Sequence, residues 1–204
     1  MRRLQWRVFF VITAMIGFMA SMQDGSAQAI TSDTVPSQIL ALVPAGAQVI
    51  NQQYLKIQGD VAVSFIAERK SGLLSGTTTR FTFKLSSYDK NGYQWKMVAQ
   101  GTRQDIETNS QRTAHSMSLT GDNPMISQPE VTPYPWGKGV TQKTRFYGED
   151  RPDFYSYHCL YWGVVGTNVF SLEVEEIPDR ADADKWAKSV ADAVANISPS
   201  TLSK

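Results

Sequence analysis

Phe154-Tyr155-Ser156-Tyr157-His158-Cys159-Leu160-Tyr161-Trp162 reads as a β-strand, and the character of its two faces decides the architecture. At a period of two, one face carries Tyr155, Tyr157, Cys159 and Tyr161. The other carries Phe154, Ser156, His158, Leu160 and Trp162. Neither face is wholly polar, so the strand is expected at the centre of a sheet covered on both sides, as a helix–sheet–helix sandwich requires.

Downstream, residues 169–177 form the partner of a hairpin turning at Gly166-Thr167-Asn168, and Pro178-Asp179 ends the sheet. The chain then closes with its clearest helix. Trp186, Val190, Ala193, Val194 and Ile197 fall at i, i+4, i+7, i+8 and i+11 and form one apolar stripe, with Asp179 or Asp182 to cap its start and Ser198-Pro199 to end it.

Upstream, Arg80-Phe81-Thr82-Phe83-Lys84-Leu85 alternates strictly and puts Phe81, Phe83 and Leu85 on one face. Asp89-Lys90-Asn91-Gly92 predicts a tight hairpin joining it to a strand over residues 93–98, because Asn-Gly accepts the positive φ angles such turns need. Two earlier strands flank Gly59-Asp60, Tyr54-Leu55-Lys56-Ile57 on one side and Val61-Ala62-Val63-Ser64-Phe65-Ile66 on the other. Residues 37–43 predict a short helix stopped by Pro44-Ala45-Gly46. A middle helix is expected over residues 102–117 with Ile106, Thr113 and Met117 inward. Residues 119–139 hold Pro124, Pro129, Pro133 and Pro135 and fit no regular element, and residues 140–147 read as a further strand. The fold class is therefore α+β: one domain over residues 37–198, a mainly antiparallel twisted sheet packed against the C-terminal helix and the middle helix, with a mobile lead-in at 30–36 and a tail at 199–204.

The first 29 residues read as an export signal. Arg2, Arg3 and Arg7 give a basic start, an apolar run follows, and Ala27-Gln28-Ala29 is the small-x-small pattern of a cleavage site. Ser21, Gln23 and Asp24 interrupt the run before the roughly 20 apolar residues of a spanning helix are reached, so no stable membrane anchor is expected after cleavage. The expected location is periplasmic or secreted. Removing this segment takes Arg2, Arg3, Arg7 and Asp24 with it and moves the formal net charge from +1 to −1. With lysine and arginine scattered, that balance argues against a nucleic-acid partner, which needs a concentrated basic face.

Candidate chemistry is sparse. Cys159 is the only cysteine, so no disulfide can form within the chain; His158 beside it points to the opposite strand face, leaving His115 as the only candidate base for a thiolate. Two histidines and one cysteine make a poor structural zinc set, and the acidic bunch Glu173, Glu175, Glu176, Asp179, Asp182 and Asp184 lacks the alternation and central glycine of a calcium loop. No G-x-S-x-G motif is present, and Gly137-Lys138-Gly139 lacks the partners of a phosphate loop. No cofactor and no metal site is expected. Asn196-Ile197-Ser198 is a glycosylation sequon at a predicted helix end.

Aromatic residues remain. Tyr155, Tyr157, His158 and Tyr161 are candidate pocket residues, or an ordinary core margin. Tyr134 and Trp136, on the proline-rich stretch, are candidate anchors for a partner, or plugs at the end of the sheet. Glu173 and Glu175 mark an acidic face for a partner.

Val43-Pro44-Ala45-Gly46, Trp136-Gly137-Lys138-Gly139-Val140, Asp184-Lys185-Trp186 and Ala193-Val194-Ala195-Asn196-Ile197-Ser198, in this order of elements, resemble the PsbP-like family of small exported α/β/α proteins. The resemblance implies an accessory or binding role for which no enzyme activity need be assumed. Two functions are expected from the residues: an exported non-catalytic protein acting through protein–protein contact, such as an inhibitor or immunity protein, or a small-ligand carrier or enzyme with an aromatic pocket around His158.

Overall fold

Among the described residues, eight antiparallel strands, in the order β1-β2-β3-β4-β8-β7-β6-β5, make one sheet in which two four-stranded meanders meet at the β4–β8 pair. The computed structural model describes residues 30–32, 35–70, 78–119, 123–147 and 153–202, so the expected signal segment lies outside the described residues. The strands are β1 (Ile30–Ser32), β2 (Gln48–Ile57), β3 (Asp60–Lys70), β4 (Thr78–Ser87), β5 (Glu130–Tyr134), β6 (Gly137–Phe146), β7 (Phe154–Val165) and β8 (Asn168–Ile177). The helices are α1 (Ser37–Leu40), α2 (Tyr93–Ser118), α3 (Arg180–Val194) and α4 (Pro199–Leu202).

Alternation places every odd residue of β3 from Val61 to Ala67, Phe81, Phe83 and Leu85 of β4, and Phe170, Leu172 and Val174 of β8 on one face, where all are buried. Helix α3 covers that face. Ala183, Ala187 and Ala191 repeat at four-residue spacing and let the helix approach, while Trp186 meets Phe81 edge-on at 5.3 Å and donates its indole N–H to the Leu42 carbonyl at 2.8 Å. Asp179 caps α3 by accepting the Ala181 N–H, as its position predicted. At the other end the buried Asn168 side chain donates to the Val194 and Ile197 carbonyls at 2.9 and 2.8 Å, satisfying groups a helix terminus leaves open.

On the opposite face α2 packs against β5, β6 and β7. It buries Thr102, Ile106 and Ser110, and the two hydroxyls bond to carbonyls of their own helix, at Val98 and Glu107. The apolar stripe is thin because small polar residues, not hydrophobes, fill two of its inward positions. Thr113 and Met117, expected inward, are half-buried.

Three expectations change. The strand over residues 93–98 is the first part of α2: Asp89 receives the Asn91 N–H on its side chain and the Gly92 N–H on its carbonyl, and Gly92 leaves the turn with φ −67° to precede the helix. The chain turns at Asn91-Gly92, but neither residue takes the positive φ of the expected hairpin, and Gln94, Lys96, Met97 and Ala99 after it favour a helix. The irregular stretch over 119–139 contains β5 and the start of β6. Pro133 is accommodated because β5 is an edge strand, where a missing N–H breaks no ladder. The lead-in and tail are tied down: Ile30–Ser32 pairs with β2, Val35 is 1% exposed, Tyr54 donates to the Leu202 carbonyl and Gln38 to that of Thr201. No helix of the described residues is long and apolar enough to cross a membrane.

Two glycines relieve crowding at the aromatic end of the core, Gly137 against the β7 backbone and Gly163 against aromatic rings. Gly137 and Gly163 face each other across β6 and β7; a Cβ on Gly163 would lie 2.4 Å from Phe170 Cζ and 2.8 Å from Trp136 Cε3. Gly163→Ala is expected to cost about 2 kcal/mol through overpacking, read as a lower urea midpoint at unchanged slope. A second expectation concerns Asp60, 7% exposed, whose carboxylate accepts the Asp89 N–H at 2.7 Å. Burial pushes its pKa up, against the pull of that hydrogen bond, and the nearby Asp89 charge adds to the rise. A folded-state value above the unfolded one means stability falls as pH climbs through the shifted value. Asp60→Asn should therefore raise the melting temperature at neutral pH, and the gain should shrink as pH is lowered through the carboxylate range.

Candidate functional site

Helix α2 covers only the β5–β7 part of its face, and among the described residues no helix packs across the rest. The outward row of β3, β4 and β8 is therefore an open, mostly polar strip of Ser64, Glu68, Arg80, Thr82, Lys84, Ser171, Glu173 and Glu175, interrupted by Ala62, Ile66 and Val169, with His158 of β7 at its border. These side chains face outward for the same reason that Phe81, Phe83, Leu172 and Val174 face inward. Cross-strand pairing sets Glu175 opposite Arg80 and Glu173 opposite Thr82.

His158, Glu173 and Glu175 converge here. His158 Nε2 lies 2.9 Å from Glu173 Oε1, and one donor atom from each of the three residues falls within 4.8 Å of the others. A register shift helps to assemble them: Cys159 pairs with Val174 but Tyr157 pairs with Ile177, so two residues of β8, Glu175 and Glu176, stand opposite His158. Glu176 takes the left-handed conformation, φ 56°, at this bulge. Arg80 reaches Glu68 at 2.9 Å and Glu175 at 3.8 Å, which leaves three carboxylates around one permanent cation. Partial burial and then the neighbouring Glu173 charge push the Glu175 carboxyl up, with His158 and Arg80 pulling the other way.

Of the residues singled out in the sequence, Glu173, Glu175 and His158 share this face. Tyr155, Tyr157 and Tyr161 lie on the opposite one, so the four candidate pocket residues do not line a single cavity. Tyr161 is fully buried beneath α3, Tyr157 packs at the margin of the core, and Tyr155 is exposed with Lys143 Nζ 3.6 Å above its ring. Cys159 is buried on the α3 face, its thiol pushed up by desolvation, while His115 is exposed on α2 across the sheet. No Cys–His dyad forms.

Tyr134 and Trp136 turn inward. Their rings stack at 4.7 Å, and Trp136 also meets Phe170 at 5.5 Å. Tyr134 and Tyr161 both donate to Asp184 Oδ1, at 2.7 and 2.8 Å, and Arg180 reaches Asp184 Oδ2 at 3.3 Å, Glu130 at 2.5 Å and Thr132 at 2.9 Å. This knot fastens the β5–β6 hairpin to α3. The Tyr134 phenol is pushed up to about 12, by burial first and then by its hydrogen bond to Asp184 and the charge there, so it stays a donor at any ordinary pH. The acidic bunch is thus split three ways, with Glu173 and Glu175 on the open face, Asp179 at the helix cap and Asp184 holding the tyrosines.

No family model, curated protein or solved structure matches the chain. The functional assignment of the site therefore follows from its geometry.

Sequence reasoning passed over Arg80, Glu68 and Arg180. Strict alternation in β4 was the available signal for Arg80; nothing local linked Arg180 to Tyr134, remote along the chain but joined through β5. Asp184→Asn should lower stability by about 2 kcal/mol, because it breaks a half-buried ion pair and weakens the acceptor of two phenols. It should also bring the Tyr134 phenol down towards the ordinary tyrosine value, read by ultraviolet titration. Tyr161→Phe, which removes one donor alone, should cost about 1 kcal/mol.

Proposed function

We propose that this is an exported accessory protein that works by non-catalytic contact with a protein partner, engaged through the open face around Glu173 and Glu175. The carrying observation is that a broad strip of the sheet is left without a helix and lined by polar and charged groups, its three glutamates outnumbering Arg80 and Lys84, while the other anchor candidates, Tyr134 and Trp136, are spent on internal packing. The basic start, apolar run and Ala27-Gln28-Ala29 support export. The resemblance to PsbP-like proteins supports an accessory role. An acid-lined face selects a partner presenting lysine or arginine, and complementary charge speeds its encounter. An inhibitor or immunity protein that caps a basic enzyme or toxin is the specific version of this reading.

The second reading, a ligand carrier or enzyme around His158, draws on the His158–Glu173 contact. It loses the aromatic pocket, since the tyrosines sit across the sheet.

The test is crosslinking of the tagged protein in an extract of its native exported fraction, run in parallel with Glu173→Lys/Glu175→Lys and with Tyr155→Ala. A protein recovered at near-equal stoichiometry by the parent and by Tyr155→Ala, and lost from the charge-reversed variant with its melting temperature retained, is the expected result. Equal recovery by all three, or recovery of nothing, overturns the reading.

A further inference from the structure

We propose that His158, Glu173 and Glu175 form a binding site for a divalent transition-metal cation, with Zn²⁺ the best match. The inference goes beyond partner binding and stands independently of it.

The donor set comes first. One imidazole nitrogen and two carboxylate oxygens are borderline-soft and hard donors together, the combination that suits zinc and its first-row neighbours. Calcium prefers six to eight oxygens, and this site offers fewer and includes a nitrogen. Three protein ligands with a remaining open position is the arrangement of an accessible zinc site, and the strip is open to solvent on the side away from the sheet.

Geometry comes second. Donors around a tetrahedral zinc stand about 3.4 Å apart. The three present donors already lie within 4.8 Å of one another, and two of them are on flexible glutamate side chains. The backbone holds the set in place from two paired strands: Glu173 and Glu175 alternate onto one face of β8, the bulge sets Glu175 opposite His158, and Glu173, paired with Leu160, lies diagonal to it. Binding would exchange the His158–Glu173 hydrogen bond for two metal bonds, with Nε2 as the ligating nitrogen.

Charge comes third. Glu68, Glu173 and Glu175 cluster around Arg80, whose guanidinium makes its short contact with Glu68 and only a 3.8 Å contact with Glu175. Neither Glu173 nor Glu175 has a short contact with Arg80, and a divalent ion supplies the close positive charge that Arg80 does not. Sequence spacing hid the set, because His158 and Glu173 are neighbours only once β7 and β8 have paired.

The experiment is calorimetric titration of the purified, chelator-stripped protein with ZnCl₂, with a thermal melt of each sample and CaCl₂ as the comparison. One equivalent of Zn²⁺ should bind in the micromolar range or tighter and raise the melting temperature, while Ca²⁺ should do neither at the same concentrations. His158→Ala and Glu175→Gln should each weaken Zn²⁺ binding by at least about tenfold, and His115→Ala, which removes the other histidine, should leave it unchanged. Melting of the metal-free variants separates lost binding from lost folding. Absence of saturable binding up to about 100 μM overturns the site, and so does binding that survives His158→Ala or disappears with His115→Ala. A protein that captures its partner but fails to bind Zn²⁺ removes this inference alone.

Discussion

The pairing of β4 with β8 is the constraint on which the rest depends. It is the one seam between two meanders that are otherwise complete in themselves, and it joins strands remote in sequence. Along it, Phe81 meets Val174, Phe83 meets Leu172 and Leu85 meets Phe170, so each step of the ladder adds an apolar pair beneath α3. The intervening steps pair Arg80 with Glu175, Thr82 with Glu173 and Lys84 with Ser171. A shift of one residue would exchange the two sets, sending phenylalanines to water and carboxylates into the core. The core therefore enforces the register that assembles the acidic face, and the site comes at no separate structural cost.

The two helices use different means to hold the sheet. Helix α3 packs with a tryptophan, alanines and valines, and is pinned at both ends, by the Asp179 cap and by Asn168. It is further joined to the distal hairpin by Asp184, which gathers Tyr134, Tyr161 and Arg180 at one carboxylate. Helix α2 is longer yet buries only three residues, and its link to β6 includes the Lys138–Glu107 ion pair and the Gln142 amide donating to the Met117 carbonyl. An anchor this polar suits a helix that crosses one end of a sheet and leaves the other open.

What the sequence disclosed followed periodicity. The β7–β8 hairpin, the inward row of β4, the strands flanking Gly59-Asp60 and the capped C-terminal helix all carry a clear period of two or of 3.6, and all are present. Where the period is weak, sequence and structure part. The segment after Asn91-Gly92 reads as a strand because the turn signal outweighs the helix-forming residues behind it, and β5 escapes notice because prolines weigh against strands until their edge position is known. For the site, the acidic face and His158 are visible in the sequence as separate features. Their convergence is not, since it arises from a register shift that no local pattern encodes, and grouping the tyrosines with His158 conflicts with the alternation that sets them on the other side.

The seam also governs the order of events when the chain is made. Strands β3 and β4 turn their inward row of Val61, Val63, Phe65, Phe81, Phe83 and Leu85 towards a core supplied in large part by elements that lie after residue 153. Until β8 and α3 arrive, that row has only the segment around Val35 and Ile39 to cover it and its β4 edge has no partner, a state prone to pairing with other chains. Such a polypeptide stays open, its sheet unfinished, until nearly all of it has been made. Completion of the final third then closes the core and the face together.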